Sequence, residues 1–370
     1  MKKTESSQPM LSKSRFISGL QCPLRLWNEI HRRDAATPWT ATQQAIFDRG
    51  TRVGELAQQR YPGGVLVGFK PWQRDPALRE TQRLLDDAEV PAIYEAAIQH
   101  RGVFARVDIL QRTATGWALI EVKASTTPGK DVFIRDLALQ YWIAREQGLQ
   151  IESAGILVLD KSYVYAGGEY DLDALFHFGD ATEACEAAMP QIGQQAAELL
   201  DVAAQTKPPE IDVGDHCSRP YPCPFYEHCT QDMPALDHPI ESLYRIHAGK
   251  LDQLRAQGIE EIADIPEDFP LTTIQQRMRQ SIRTGEPWCS GDLPRILDQV
   301  ERPLYFLDFE AIAPPLPRYA GTSPFQTIPF QYSLHIQTDH GLEHHEYLHE
   351  HATDPRRPLA ETLIEAIGTH

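Results

Sequence analysis

The sequence predicts an α/β protein built from more than one domain, and three observations carry that expectation. Three short runs of alternating or β-branched residues follow one another at 92–99, 103–112 and 116–125, separated by glycine-containing breaks. An amphipathic stretch beginning at Asp131 and ending at Gly148 comes next, and then a continuous apolar run inside "ESAGILVLDKSYVY" at 152–165. Strand, strand, strand, helix, strand is the order of an α/β core with helices on its faces. A chain of 370 residues also exceeds the usual domain size of about 100 to 200 residues, so two or three units are expected.

Taken in order, "LSKSRFISGLQCPLRLWNEI" from Leu11 to Ile30 predicts a short helix capped by Ser12 or Ser14. A turn at Gly19 and a second helix opening at Pro23 follow. Residues 41–60 continue the helical pattern, the three strands and the 131–148 helix follow, and 181–204 predicts a further helix. A proline-rich linker at 208–210 leads to "CSRPYPCPFYEHC" at 217–229. Residues 240–284 form a helical module in which "LDQLRAQGIEEIADIP" resembles a helix-hairpin-helix turn bent at Gly258 and Ile259. From Pro303 a new pattern of three strands and a helix begins. The expected domains are 1–235, 236–300 and 301–370.

Composition narrows the functional classes. With 42% hydrophobic and 24% charged residues the chain is that of a globular protein. It has no run of about 18 apolar residues and no apolar signal-peptide centre, so a cytoplasmic protein without a membrane span is expected. In that compartment thiols stay reduced, and clustered cysteines then point to metal or cluster ligation rather than disulfides. The net charge of −17 excludes a histone-like coating of nucleic acid. A confined basic groove is compatible with it. Residues 1–36 hold seven Lys and Arg against three acids, and Arg277, Arg279 and Arg283 form a second basic stretch. Trp27 and Trp39, near the basic start, are candidates for stacking on bases, with burial in the core as the alternative.

The residues richest in chemical content are Asp108 and the "EVK" of the next strand. Residues two apart on a strand share a face, so Glu121 and Lys123 project together and a hairpin partner brings Asp108 beside them. Two adjacent carboxylates repel unless a cation lies between them, and an oxygen-rich pair suits Mg²⁺ or Mn²⁺. A neighbouring lysine orients water or stabilises charge on a pentavalent phosphorus. Metal-assisted phosphodiester hydrolysis is the chemistry these types imply.

Asp108 with "IEVKAS" resembles the PD-(D/E)XK nuclease signature, and "DLALQYW" with Asp136, Gln140 and Tyr141 resembles the Gln/Tyr helix of the RecB-like branch. The resemblance implies a restriction-endonuclease-like core with a central mixed sheet and flanking helices. It implies catalysis by Asp108, Glu121 and Lys123, a metal held by Asp108 and Glu121, and substrate positioning by Gln140 and Tyr141. In iron-sulfur members of that branch, such as CRISPR-associated and helicase-linked nucleases, one cysteine precedes the core and three follow it. Cys22, Cys217, Cys223 and Cys229 match that arrangement and imply a 4Fe-4S cluster stapling the two ends of the domain. A four-cysteine zinc site is the rival, although its cysteines usually stand about two to four residues apart and here five separate each neighbour. His216 and His228 flank these ligands as possible substitutes, while Cys185 and Cys289 stand apart.

The sequence departs from the pattern in "RGTRVGELA", where Gly54 stands in place of the usual His or Glu. Either another acid such as Glu95 completes the site or catalysis is weaker. "YFLDFEA", with Asp308 and Glu310 two apart, resembles the first metal-binding motif of DEDD exonucleases of the ribonuclease H-like class, so 301–370 is expected to be an incomplete unit of that kind. The chain as a whole resembles a bacterial family of uncharacterised nuclease-like proteins. The resemblance implies a nuclease for single-stranded DNA or DNA ends in repair, recombination or defence, with a helicase or defence-system partner. The competing expectation is a non-catalytic iron-sulfur module that binds nucleic acid or a partner.

Overall fold

The computed structural model describes residues 10–233 and 235–368. Packing divides the chain into two compact units. One runs up to Thr230 and takes in Phe309–Tyr332 and the stretch from Tyr347. The other comprises Gln231–Asp308 and Ser333–Glu346.

The first unit opens with β1 (Leu11–Ser12), α1 (Lys13–Gln21), α2 (Pro23–His31) and α3 (Ala41–Gln58). It continues through β2 (Val65–Leu66), α4 (Arg74–Asp86), β3 (Ala92–His100), β4 (Val103–Arg112), β5 (Trp117–Val122), α5 (Asp131–Glu146) and β6 (Ile151–Leu159). α6 (Leu172–Leu175), β7 (Phe176–Asp180), α7 (Thr182–Ala204) and α8 (Tyr226–Thr230) complete it before the second unit. The strands make one seven-stranded mixed sheet in the order β2-β3-β4-β5-β6-β7, with β1 parallel to β4. β3, β4 and β5 are antiparallel neighbours, and β6 returns parallel to β5 after the α5 crossover.

Local sequence accounts for these choices. Arg101 and Gly102, both with positive φ (42° and 82°), form the two-residue link between β3 and β4, the backbone that matches strand twist in a tight hairpin. Ser12 caps α1 by accepting from the Arg15 N–H, and Pro23 occupies the first turn of α2, where its missing N–H costs nothing. Gly19 lets α1 approach α7, since a Cβ there would stand 2.7 Å from Leu199. α5 is buried without interruption from Asp136 to Ala144, which differs from the expected amphipathic pattern. The sheet takes one side of that helix and α7 another.

Two apolar clusters fill the two faces of the sheet. One gathers Phe16, Leu26, Leu110, Leu119, Leu137 and Leu199, joining α1, α2, α5 and α7 to one face. The other gathers Val53, Ala57, Ile109, Ile120, Leu157 and Phe176, joining α3 to the opposite face. Three of the sheet strands, β1, β2 and β7, and the charged helix α4 have no counterpart in the sequence reading; two to five residues give no measurable period.

In the second unit a separate core of Ile240, Leu254, Ile262, Ile265, Phe269 and Leu271 surrounds α9 (Ala248–Ala256) and α10 (Thr273–Thr284). The hairpin expected at 251–266 is not a helix pair. After Gly258 the chain makes only one helical turn, Ile262–Asp264, and Pro266 stops further winding. The basic stretch beside it serves this fold: Arg279 is buried and pairs with Glu267 at 2.8 Å, Arg283 also reaches Glu267, and Arg277 stacks on Trp288.

After α11 (Leu293–Leu297) come β8 (Leu304–Ile312), β9 (Ile328–Thr338), β10 (Gly341–Leu348) and α12 (Arg356–Ile367). The three strands form a small antiparallel sheet in the order β10-β9-β8. The whole is an α/β protein with a helix-flanked seven-stranded mixed sheet and a three-stranded sheet. Among the described residues no helix is long and apolar enough to cross a membrane.

Candidate active site and cysteine site

Strand register builds a row of acids. Tyr94 pairs with Ile109 and Ala96 with Val107, so Glu95 falls level with Asp108 across the β3-β4 ladder. Ile109 pairs with Ile120, so the next step sets Asp108 level with Glu121 across β4-β5. Glu121 shares a face with Leu119, the face that α1 and α5 cover. Glu95 has a left-handed backbone, φ 54°, which is costly for a residue with a side chain and clusters at functional positions.

Glu121 is buried and satisfied from three directions. Lys123 Nζ lies 2.7 Å from its Oε1, Lys13 Nζ lies 2.8 and 3.1 Å from its two oxygens, and Gln140 Nε2 donates to Oε2 at 2.8 Å. Lys123 also bridges to Asp136 at 2.5 Å, and Lys13 stands 3.7 Å from the same oxygen. Asp108 accepts the Val122 N–H at 2.7 Å. Gln140 Oε1 is buried with no hydrogen-bond partner among the described residues, an acceptor left open beside the carboxylates.

The electrostatics follow from this packing. Burial pushes Asp108 up to about 7, and the negative charge of Glu121 adds to the effect. Burial would raise Glu121 as well, yet the ammonium groups of Lys123 and Lys13 outweigh it and hold Glu121 well below the usual carboxylate range. Burial would lower both lysines, but the carboxylates around them prevail and both are raised. Burial raises Glu95, with Arg106 and Lys13 opposing.

Glu95 and Asp108 line a cleft of about 910 Å³. Its walls carry Lys13, Arg15, Arg25, Arg33, Arg74 and Arg106 against the acids Glu29, Glu95 and Asp108, so this hollow is basic on an acidic chain. Trp39, 54% exposed, lies at its rim. Trp27 is buried and gives its indole N–H to the Gln205 carbonyl, so it belongs to the core.

The structure brings Asp108, Glu121, Lys123 and Gln140 together and leaves Tyr141 elsewhere. Adjacent helix positions point about 100° apart. Tyr141 is buried in the core with its hydroxyl on Glu186, while Gln140, also buried, grips Glu121. Neither side chain is placed to touch a substrate directly. Gly54 lies on α3, whose neighbouring Val53 and Ala57 pack on the sheet face opposite Leu119 and Glu121. A Cβ at Gly54 would meet nothing within 4 Å. Asp308 and Glu310 sit on β8 and are both exposed. Lys13 had no signal in the sequence beyond its place in a basic stretch.

The cysteines converge at the other end of α1. Cys22, Cys217, Cys223 and Cys229 line one small cavity together with Arg25, His216 and Phe225. Cys22 is the N-cap residue of α2, with the backbone N–H groups of Leu24 and Arg25 on its side, and Cys223 precedes the Phe225 N–H in the same way. Burial raises Cys22, Cys223 and Cys229, and those N–H donors counter it for the first two. Gln21 ties the two segments by donating to the carbonyls of His216 (2.6 Å) and Tyr221 (2.7 Å). His228 instead faces Arg32. Cys185 is buried in the core, its thiol pushed up to about 12 by burial, and Cys289 is exposed. Among the described residues no three His, Cys, Asp or Glu side chains close to the spacing of a single metal ion.

Both donor sets suit the groups the sequence suggests. Asp108, Glu121 and Glu95 are hard oxygen donors, the donor type that Mg²⁺ or Mn²⁺ takes, although their side chains do not close to the spacing of a single ion. Four cysteines around one cavity are soft thiol donors, the donor type that an iron-sulfur cluster or a zinc ion takes.

A family model described as "Domain of unknown function (DUF2779)" matches residues 305–370, a segment that contains neither the acidic row nor the cysteines. No curated protein matches. Among solved structures, one titled "Crystal structure of SSO0001" is similar over 56% of this chain and 82% of its own, at 12% identity and a TM-score of 0.29.

Proposed function

We propose that this protein is a metal-dependent nuclease of the PD-(D/E)XK, RecB-like type acting on single-stranded DNA or DNA ends. The observation that carries the reading is the row Glu95, Asp108 and Glu121 across three adjacent strands, with Lys123 two residues on and a basic cleft opening over it. A divalent ion held there supplies charge neutralisation at the phosphate and activation of water. The chain's own residues do the rest. Gln140 and Lys123 fix the orientation of Glu121, and the arginines of the cleft wall draw in a phosphate backbone. Trp39 offers a face on which a base can stack whatever its identity. Cys22, Cys217, Cys223 and Cys229 would hold a 4Fe-4S cluster that joins the α1-α2 corner to the segment before α8. Asp308 and Glu310 on β8 would be metal-binding acids of a ribonuclease H-like exonuclease unit. A cytoplasmic setting with a helicase or defence-system partner fits this reading.

The test is cleavage of end-labelled single-stranded DNA by anaerobically purified protein with Mn²⁺ or Mg²⁺, beside a chelator control. Cleavage that requires the metal is the expected result. Tight DNA binding without cleavage under any metal would replace the reading with a non-catalytic binding module, a role the lysine-paired Glu121 and the glycine at position 54 would then explain.

Glu95 stands where this chain supplies a third acid although α3 carries none at Gly54. Glu95→Gln, which keeps size and removes charge, should weaken Mn²⁺ binding about tenfold or more in titration calorimetry. Unchanged affinity would remove Glu95 from the metal site.

A further inference from the structure

Among the described residues of the carboxylate cluster, Lys13 comes from outside the sheet and its crossover helix. It is the first residue of α1, 108 residues from Glu121 in sequence, and its ammonium spans both carboxylate oxygens at 2.8 and 3.1 Å. That two-oxygen grip is one that a divalent cation also takes from a carboxylate. Lys123 is held differently. It bridges Glu121 and Asp136 at 2.7 and 2.5 Å and does not line the cleft, whereas Lys13 does, beside Glu95 and Asp108. Around these two ammonium groups stand four carboxyl groups, Glu95, Asp108, Glu121 and Asp136. These acids outnumber the cations beside them, Lys13, Lys123 and Arg106, and leave room for an added positive charge.

We propose that Lys13 is a resident counter-ion of the metal-free site: it holds Glu121 until a divalent cation binds, then yields that carboxylate and swings on its flexible stem into the cleft, toward a substrate phosphate. The inference rests on the metal-site reading above. Lysine suits the part because its charge is compact and its four-carbon stem turns freely, whereas an arginine would grip the carboxylate in a fixed fork. Competition of this kind has a signature that a purely structural lysine lacks: removing the charge must strengthen metal binding.

The experiment is calorimetric titration of Mn²⁺ into chelator-treated full-length protein, comparing wild type with Lys13→Met and Lys13→Arg, alongside thermal melts in chelator. Lys13→Met should bind Mn²⁺ about tenfold more tightly than wild type and melt lower in chelator, with Mn²⁺ restoring the loss. Lys13→Arg, which keeps the charge, should bind no more tightly than wild type. Equal or weaker Mn²⁺ binding by Lys13→Met, with wild type still binding, would overturn the counter-ion role alone. Absence of Mn²⁺ binding in every form would remove the metal site and this inference together.

Discussion

Lys123→Ala is expected to abolish metal-dependent cleavage, lowering the rate by about a hundredfold or more, while leaving single-stranded DNA binding within a few-fold of wild type. The ammonium touches Glu121 and Asp136 and so neutralises two buried carboxylates at once, and the side chain is about one-fifth exposed. Removing it leaves Glu121 with Lys13 and Gln140 as its charged and neutral donors, and leaves Asp136 with Lys13 alone at 3.7 Å. The apolar packing of β5 through Leu119 and Ile120 is untouched, so circular dichroism should show an intact fold. Retained cleavage by the variant would mean that the cluster is a structural charge network and the chemistry lies elsewhere. Loss of both cleavage and binding would point to collapse of the cleft instead.

The second large effect is expected from Cys22→Ser. Cys22 ends α1, caps α2 and lines the cavity shared with Cys217, Cys223 and Cys229, so it couples the start of the first unit to a segment almost two hundred residues later. A covalent link across a loop of that size stabilises by about 2–5 kcal/mol, chiefly through the unfolded state. At about 2–4 °C per kcal/mol for a unit of this size, the variant should melt roughly 5–15 °C lower. Iron content and visible absorbance of anaerobically purified protein should fall with it. Cys289→Ser, on the surface, should change neither. If Cys22→Ser keeps its iron and its melting temperature, the four-cysteine assignment is wrong.

Much of this site is written in strand periodicity. The runs at 103–112 and 116–125 alternate strongly enough that a hairpin sets Asp108 beside Glu121, and the structure pairs Ile109 with Ile120 as that requires. Glu95 was harder to read because its run, "AIYEAAIQ", is almost uniformly buried and its left-handed backbone breaks the alternation. Gln140 and Tyr141 are adjacent letters that a helix turns to different neighbours, so only the tertiary packing separates their surroundings. Lys13 lay beyond any local pattern. A lysine between two serines in a basic segment looks like a solvated charge, and only the pairing of β1 with β4, which lays the start of α1 over the sheet, brings it to Glu121. The gathering of the four cysteines was legible from their spacing, whereas the hydrogen bonds of Gln21 that bind the two segments were not.

The tight link at Arg101 and Gly102 gives the acidic row a ruler. With His100 paired directly to Val103, the number of residues from the turn fixes which side chain of β3 stands level with Asp108. A strand has a side-chain period of two, so inserting one residue in this loop with slippage of the ladder would carry Glu95 out of line and rotate its face away. Fidelity of the charge constellation is therefore written at the hairpin tip, six residues along the strand from Glu95, in residues that touch none of its members. A change in the length of that tip would translate directly into a change in which acid reaches the centre.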